Sequence, residues 1–132
     1  MFVEFEMERL QSLYENEVKY NLSDSGNHPL SMNDLLSEEE IKRILEMEIY
    51  YGYTTGDPKL LSAIASWYPD KITEKNVLVT NGSAEANFLI GWTLVEPKDE
   101  VIMVLPNYMQ IPGLAKNLGA TVKTIHLKES LE

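Results

Sequence analysis

Residues 76–86 read Asn-Val-Leu-Val-Thr-Asn-Gly-Ser-Ala-Glu-Ala and contain the signals from which the fold class is predicted. Residues 77–79 form a short apolar run, which is typical of a buried strand. Asn81 and Gly82 then predict a tight turn. A stripe of apolar residues at helical spacing follows directly, formed by Ala86, Leu89, Ile90 and Leu94. The sequence therefore predicts a strand, a turn and a helix in immediate succession.

The same alternation continues towards the carboxyl end of the sequence. Residues 101–105 are an uninterrupted apolar run, which is typical of a strand covered by helices on both faces. Residues 111–118 can form a short helix closed by Gly119, and residues 121–127 have the pattern of a third strand. This order of elements predicts an α/β fold with a mostly parallel, helix-covered sheet.

The residues before this sheet are mainly helical in pattern. Apolar side chains at spacings of three and four between residues 7 and 18 predict an amphipathic helical arm. A capping box that starts at Ser37 and an N-cap at Asp57 predict two further helices. We therefore divide the sequence into residues 1–75, an arm with helices, and residues 76–132, the beginning of an α/β domain.

Composition and charge exclude several classes of protein. The 132 residues contain no cysteine, which excludes disulfides and thiolate metal sites. The formal net charge of −10 makes nucleic acid and anionic membrane surfaces unfavourable partners. His28 and His126 are isolated, so no metal site is predicted. Acidic residues interrupt the apolar stretch of residues 1–20, so we expect neither a signal peptide nor a membrane span but a soluble, cytoplasmic protein.

The turn at Gly82 is the first candidate binding site. The first turn of a helix has unpaired backbone N–H groups and a partial positive charge, so it stabilises an anion. Gly82 allows close approach of the backbone, and the Ser83 hydroxyl can either cap the helix or donate to a phosphate oxygen. In open α/β sheets ligands bind at the carboxyl ends of strands, where this turn lies. The alternative is a capped helix that binds nothing.

A second candidate follows the neighbouring strand. Residues 106–108, Pro-Asn-Tyr, lie at its carboxyl end and therefore at the same rim of the predicted sheet as Gly82. The ring of Tyr108 could stack on a flat heterocycle, although ordinary core packing is the alternative for an aromatic side chain. The two features together favour a flat, phosphorylated cofactor.

Three runs resemble the class I/II aminotransferases, in that family's order and at similar separations. They are residues 51–65 (Tyr-Gly-Tyr-Thr-Thr-Gly-Asp-Pro-Lys-Leu-Leu-Ser-Ala-Ile-Ala), residues 76–86, and residues 106–110 (Pro-Asn-Tyr-Met-Gln) through 120. The resemblance covers about residues 20–127 and implies the amino-terminal part of a fold-type I, pyridoxal-phosphate-dependent transferase. Residues 25–30 and 107–110 are more similar to the branch that includes capreomycidine-synthase-like proteins.

The resemblance implies how the cofactor would be held. The backbone amides of Ser83 and Ala84, beside Gly82 and together with the Ser83 hydroxyl, match the group that holds the phosphate of pyridoxal 5'-phosphate. Tyr108 matches the ring that stacks on the pyridine face.

The resemblance also implies roles for residues outside this turn. Tyr51 matches the tyrosine that reaches across a homodimer to the partner's cofactor phosphate, and Tyr53 is a rival for this role. Gly26 matches the loop glycine near the substrate carboxylate, although as a bare sequence feature it is more often a turn residue.

The sequence also departs from the family pattern. None of its lysines lies in the Ser-x-Ser-Lys-like motif from which the family's covalent lysine comes, so we predict no catalytic residue in this chain. The aspartate that pairs with the pyridine nitrogen and the carboxylate-binding arginine are also absent. We therefore expect a fragment that holds cofactor but is inactive alone.

The resemblance implies that the parent protein transfers an amino group between an amino acid and a 2-oxo acid, as a homodimer. One alternative is a non-catalytic, truncated relative that dimerises or binds partners. Another is a different pyridoxal phosphate reaction on the same fold, such as cyclisation, elimination or decarboxylation.

Overall fold

The structure, a computed structural model, describes residues 2–24, 26–68 and 70–130. In these residues the chain forms six α-helices, one short 3-10 turn at Glu74–Asn76 and two strands. In chain order the helices and strands are α1 (Glu6–Tyr14), α2 (Met32–Leu35), α3 (Glu38–Leu45), α4 (Pro58–Ser66), α5 (Ser83–Leu94), β1 (Glu100–Leu105), α6 (Gln110–Asn117) and β2 (Thr121–His126).

The chain divides into two compact units. The first combines Met1–Ser23 with Thr80–Glu132, and the second is Asp24–Val79. Helix α1 therefore belongs to the same unit as the sheet, although the sequence pattern groups it with the other early helices. The functional division into residues 1–75 and 76–132 stays a prediction.

The helices of the second unit begin at polar caps. The Ser37 side chain accepts a hydrogen bond from the N–H of Glu40, and the Glu40 carboxylate accepts one from the N–H of Ser37. Asp57 caps α4 by accepting from the N–H of Lys59 over 2.8 Å. These contacts confirm the predicted helix starts, because each cap satisfies N–H groups that the helix itself leaves unpaired. The sequence predicts that Pro69 ends the helix that starts at Asp57, because proline cannot continue a helix, but Pro69 lies outside the described residues.

The sheet consists of β1 and β2, which pair in parallel from Glu100 opposite Thr121 to Leu105 opposite His126. Helix α6 connects the two strands and packs against both. Along β1, exposed and half-buried side chains alternate, and Ile102 is 67% exposed. The prediction that this strand is buried on both faces is therefore wrong for the described residues, since burial here reaches only alternate side chains.

Residues 77–79, predicted to form the first strand, belong to no strand ladder in the described part of the chain. Val77 is extended, with φ −111° and ψ 131°. The N–H of Val79 donates to the carbonyl oxygen of Thr55 over 2.9 Å. An apolar run favours an extended backbone, but a strand also requires hydrogen bonds to a neighbouring strand along its length. In the described residues β1 has β2 as its neighbour, and residues 77–79 have none.

Helices α5 and α6 pack closely on each other at Gly91. A Cβ atom on Gly91 would lie 2.4 Å from Cδ2 of the buried Leu114, so a larger residue does not fit without a shift. Pro112 and Ala115, also on α6, are buried as well. This contact fixes α6 against α5, the helix that starts at the candidate site.

Candidate functional site

The turn before α5 has a backbone conformation that favours glycine. Gly82 has φ 83° and ψ 168°, a combination that side-chain-bearing residues rarely adopt. Two hydrogen bonds fix the turn: the N–H of Gly82 donates to the carbonyl oxygen of Thr80 over 2.9 Å, and the Thr80 hydroxyl donates to the carbonyl oxygen of Gly82 over 3.0 Å. No atom lies within 4 Å of a Cβ built on Gly82, so this position faces open space.

The first amides of α5 are the donors that this turn presents. Within the described residues, the N–H groups of Ser83 and Ala84 have no backbone or side-chain acceptor, and the helical ladder starts with Ala86 N–H to Gly82 oxygen at 3.4 Å. The N-cap is Gly82, so the Ser83 hydroxyl does not cap the helix. Ser83 and Ala84 are exposed. The turn therefore offers unpaired N–H groups and a hydroxyl to an anion.

Glu85, in the same helical turn, was not singled out by the sequence pattern. Its Oε2 accepts a hydrogen bond from the N–H of Asn81. This bond commits the carboxylate to the backbone before the turn and ties the turn to α5. The spacing of four residues between Asn81 and Glu85 is the only sign of this bond in the sequence.

Tyr108 follows β1, two residues after the cis peptide bond between Leu105 and Pro106. Its N–H donates to Oδ1 of Asn107 over 2.7 Å. The side chain is 43% exposed, so its ring is not enclosed in the core. An aromatic face is therefore available at the carboxyl end of β1.

Gln110, the first residue of α6, connects these two segments. Its Nε2 donates to the carbonyl oxygen of Ala84 over 2.8 Å, and its Oε1 accepts from Nδ2 of Asn87 over 3.2 Å. Gln110 therefore holds the start of α6, two residues after Tyr108, against the first turn of α5. Sequence patterns do not indicate this role, because the partners lie 26 and 23 residues away.

Gln110 also lines a cavity of about 220 Å³. Phe2, Phe5, Phe88 and Leu114 line most of it, with Asn117. We place the candidate site at the Gly82 turn and not in this cavity, because a dianionic phosphate requires several donors and an aromatic lining supplies few.

Tyr51, Tyr53 and Gly26 belong to the unit Asp24–Val79. Both tyrosines are exposed, and Tyr51 completely so. The N–H of Gly26 donates to Oδ1 of Asp24 over 2.7 Å, which is the geometry of a local turn. Ser25, which precedes Gly26 in the matching motif, lies outside the described residues.

The clear pKa shifts among the described residues belong to helix caps. The Ser31 side chain, followed by its backbone N–H, lowers the pKa of Asp34, and the Ser37 backbone N–H, followed by its hydroxyl, lowers the pKa of Glu40. Both are exposed carboxylates whose charged form accepts hydrogen bonds. They explain helix starts and mark no site of proton transfer.

Two kinds of structural feature are absent from the described residues. No helix in the described ranges is long and apolar enough to cross a membrane. No cluster of three or more histidine, cysteine, aspartate or glutamate side chains in that part of the chain could hold a metal ion.

Comparison with known families identifies the family of this chain. The family model described as "Aminotransferase class I and II" matches residues 19–132. The chain belongs to this family. The resemblance of the three sequence runs and the predicted fold class are thereby confirmed.

Curated aminotransferase relatives are considerably longer than this chain. Aspartate aminotransferase from Sulfolobus acidocaldarius is 33% identical over 78 residues, which are 59% of this chain and 19% of the relative. Capreomycidine synthase from Streptomyces vinaceus is 30% identical over 117 residues, which are 81% of this chain and 28% of the relative. The chain therefore spans about a fifth to somewhat over a quarter of these relatives.

Solved aminotransferase structures share the fold. A pyridoxal-phosphate-dependent aminotransferase from Streptococcus suis superposes with a TM-score of 0.83 at 27% identity, covering 98% of this chain and 36% of that one. Aspartate aminotransferase from Thermotoga maritima superposes with a TM-score of 0.70 at 25% identity, covering 95% and 34% of the two chains.

Proposed function

We propose that this chain is the amino-terminal portion of a pyridoxal-phosphate-dependent aminotransferase, which transfers an amino group between an amino acid and a 2-oxo acid. The observation that carries the proposal is the turn at Gly82, where the N–H groups of Ser83 and Ala84 have no acceptor among the described residues. Membership of the aminotransferase family supports it.

The residues present fit the phosphate group of this cofactor. Gly82 keeps the turn open, the amides of Ser83 and Ala84 would donate to phosphate oxygens, and the Ser83 hydroxyl would add a donor. The positive end of the α5 dipole favours the same negative charge. Tyr108, 43% exposed, would hold the flat ring by stacking.

Pyridoxal phosphate supplies the electron sink for this reaction when it is bound. The chain's own contribution is to bind the phosphate and to orient the ring, so that the reacting groups are held in a fixed geometry. We place the covalent lysine of the parent protein outside these 132 residues, because no lysine here lies in the family motif. This placement is supported by the small part of the relatives' length that the chain covers, 19% and 28%.

The assembly and location of the parent protein are further parts of the proposal. We propose a cytoplasmic homodimer in which Tyr51, or its rival Tyr53, reaches the partner's cofactor phosphate. The exposure of both side chains is compatible with this role. Gly26 would lie near the substrate carboxylate, in a turn in which its N–H donates to the Asp24 side chain.

A second candidate is another pyridoxal phosphate reaction on the same fold. The similarity to capreomycidine synthase over 81% of this chain favours it. The phosphate site is equally suited to both reactions, since the fold alone does not select the chemistry.

Anion binding by the chain itself tests the proposal. Inorganic phosphate and pyridoxal phosphate are titrated into ¹⁵N-labelled protein, and both are expected to shift the amide resonances of Gly82, Ser83 and Ala84. Ser83→Ala removes one donor and should weaken phosphate binding by about threefold to tenfold. Ser62→Ala, an exposed serine of α4, is the matched control and should bind like the wild type.

Two outcomes would overturn the proposal. The first is the absence of any shift at residues 82–84 when millimolar phosphate is added. The second is an equal loss of binding in the Ser83 and Ser62 variants. Self-association without anion binding would favour the alternative of a non-catalytic interaction module.

A further inference from the structure

Residues 3–8 lie along one side of helix α6. The N–H of Val3 donates to Oδ1 of Asn117 over 2.6 Å, and Nδ2 of Asn117 donates back to the carbonyl oxygen of Val3 over 3.1 Å. This pair of bonds ties an extended segment to the last residue of α6. We name residues 3–8 the amino-terminal strap.

Two more contacts continue the strap towards the start of α6. A Cβ on Gly113 would lie 2.4 Å from the ring of Phe5, so this glycine lets the ring rest on the helix backbone. At the other end, the N–H of Met109 donates to Oε1 of Glu8 over 3.0 Å. Positions 109, 113 and 117 are four residues apart, so all three contacts lie on one face of α6.

The Glu8 carboxylate supplies an acceptor at the start of α6, for the N–H of the N-cap residue itself. Met109 is the N-cap residue, and its side chain makes no capping bond. A carboxylate at a helix amino terminus is stabilised by the unpaired N–H groups and by the helix dipole. The other oxygen of Glu8, Oε2, is buried and has no hydrogen-bond partner among the described residues. The carboxylate is therefore enclosed at this helix end and directed at Met109.

We propose that Glu8 is a positioning residue for Tyr108, holding the ring in place through the start of α6. Tyr108 directly precedes Met109, whose N–H is fixed by Glu8 on one side, while Gln110 is fixed by Ala84 on the other. The segment that bears the ring is thus held from α1 and from α5. This inference rests on the proposed function, since it assigns the ring to cofactor stacking.

Amide hydrogen exchange tests the structural part without any cofactor. Glu8→Ala is expected to raise the exchange rates of the amides of Met109 and Gly113 by about tenfold, because Glu8 is the acceptor of the first and the second donates to the carbonyl oxygen of Met109. Glu8→Gln keeps an acceptor oxygen and should restore most of the protection. Glu15→Ala, an exposed glutamate just after α1, is the control and should leave these rates unchanged. Unchanged rates in Glu8→Ala would overturn the proposal.

Ligand binding tests the connection with Tyr108. Glu8→Ala should weaken binding of pyridoxal phosphate by about threefold to tenfold, while binding of inorganic phosphate, which needs no ring, should not change. Combining Glu8→Ala with Tyr108→Leu should weaken binding no more than Tyr108→Leu alone, because both remove the same interaction.

The outcomes separate this proposal from the proposed function. Equal weakening of phosphate and of pyridoxal phosphate in Glu8→Ala would overturn it, since that result indicates general loss of structure. Failure of the wild type to bind pyridoxal phosphate would contradict the proposed function and the ring's role in it. The exchange rates then still decide whether Glu8 fixes the start of α6.

Discussion

The side-chain amide of Gln110 donates a hydrogen bond to the carbonyl oxygen of Ala84 over 2.8 Å, and so joins the first turns of α5 and α6. Ala84 supplies one of the two amides of the proposed phosphate site. The ring proposed to stack on the cofactor, Tyr108, lies two residues before Gln110. One side chain therefore sets the spacing between the phosphate site and the segment that bears the ring.

Replacing Gln110 with methionine removes this connection with little change in side-chain volume. Gln110→Met should lower the free energy of unfolding by about 1–3 kcal/mol, because Asn87 loses its partly buried acceptor and Ala84 its extra donor. Urea denaturation measures this. Lys116→Met, an exposed position of the same helix, should change stability by less than about 0.5 kcal/mol. Equal losses in both variants would contradict the role of Gln110.

The conformation of Gly82 makes it sensitive to substitution. Gly82→Ala should cost about 1–3 kcal/mol, because φ 83° with ψ 168° is unfavourable for a residue with a Cβ. Gly52→Ala is a matched control: its Cβ also meets nothing within 4 Å, and its φ lies outside the left-handed range. Thermal unfolding of both variants distinguishes the cost of backbone strain at Gly82 from the cost of adding a methyl group. A stable Gly82→Ala variant would show that the turn can relax.

The contact between Gly91 and Leu114 predicts a steric coupling. Gly91→Ala should destabilise the protein by about 1–3 kcal/mol through overpacking, since the added Cβ would lie 2.4 Å from Leu114. Leu114→Ala alone should cost about 2–5 kcal/mol, because it leaves a cavity in the core. The double variant should lose less than the two single losses added together, because the new methyl group enters that cavity. Strict additivity in denaturation experiments would contradict the contact.

The capping box of α3 predicts a dependence on pH. The Ser37 N–H and hydroxyl lower the pKa of Glu40 below its ordinary value of 4.5, so the folded state favours the carboxylate. This contribution to stability is complete above pH 4.5 and is lost as the pH falls through the lower folded pKa. Glu40→Gln should therefore melt below the wild type at pH 7, and the gap should narrow under acid conditions. A gap that stays constant with pH would contradict a role for the charge.

Local sequence patterns indicate the starts of α3, α4 and α5 and the order of most elements. Ser37, Asp57 and Gly82 mark helix starts because a cap or a glycine turn acts within three or four residues of itself. Strands β1 and β2 were predictable because an apolar run is a local signal. The turn at Gly119 was predictable because glycine adopts a positive φ without strain. The family resemblance added the identity of the candidate site, including Ser83 and Tyr108.

Which of these elements pack together depends on contacts between residues that are far apart in the sequence. The run at residues 77–79 has the composition of a strand, but its backbone bonds to Thr55 and joins no ladder among the described residues. The bond from Met109 to Glu8 joins residues that are 101 positions apart, and Gln110 reaches back to Ala84 across 26. Hydrophobic period and capping preference act locally, whereas such contacts arise only when packing brings distant backbone and side chains together.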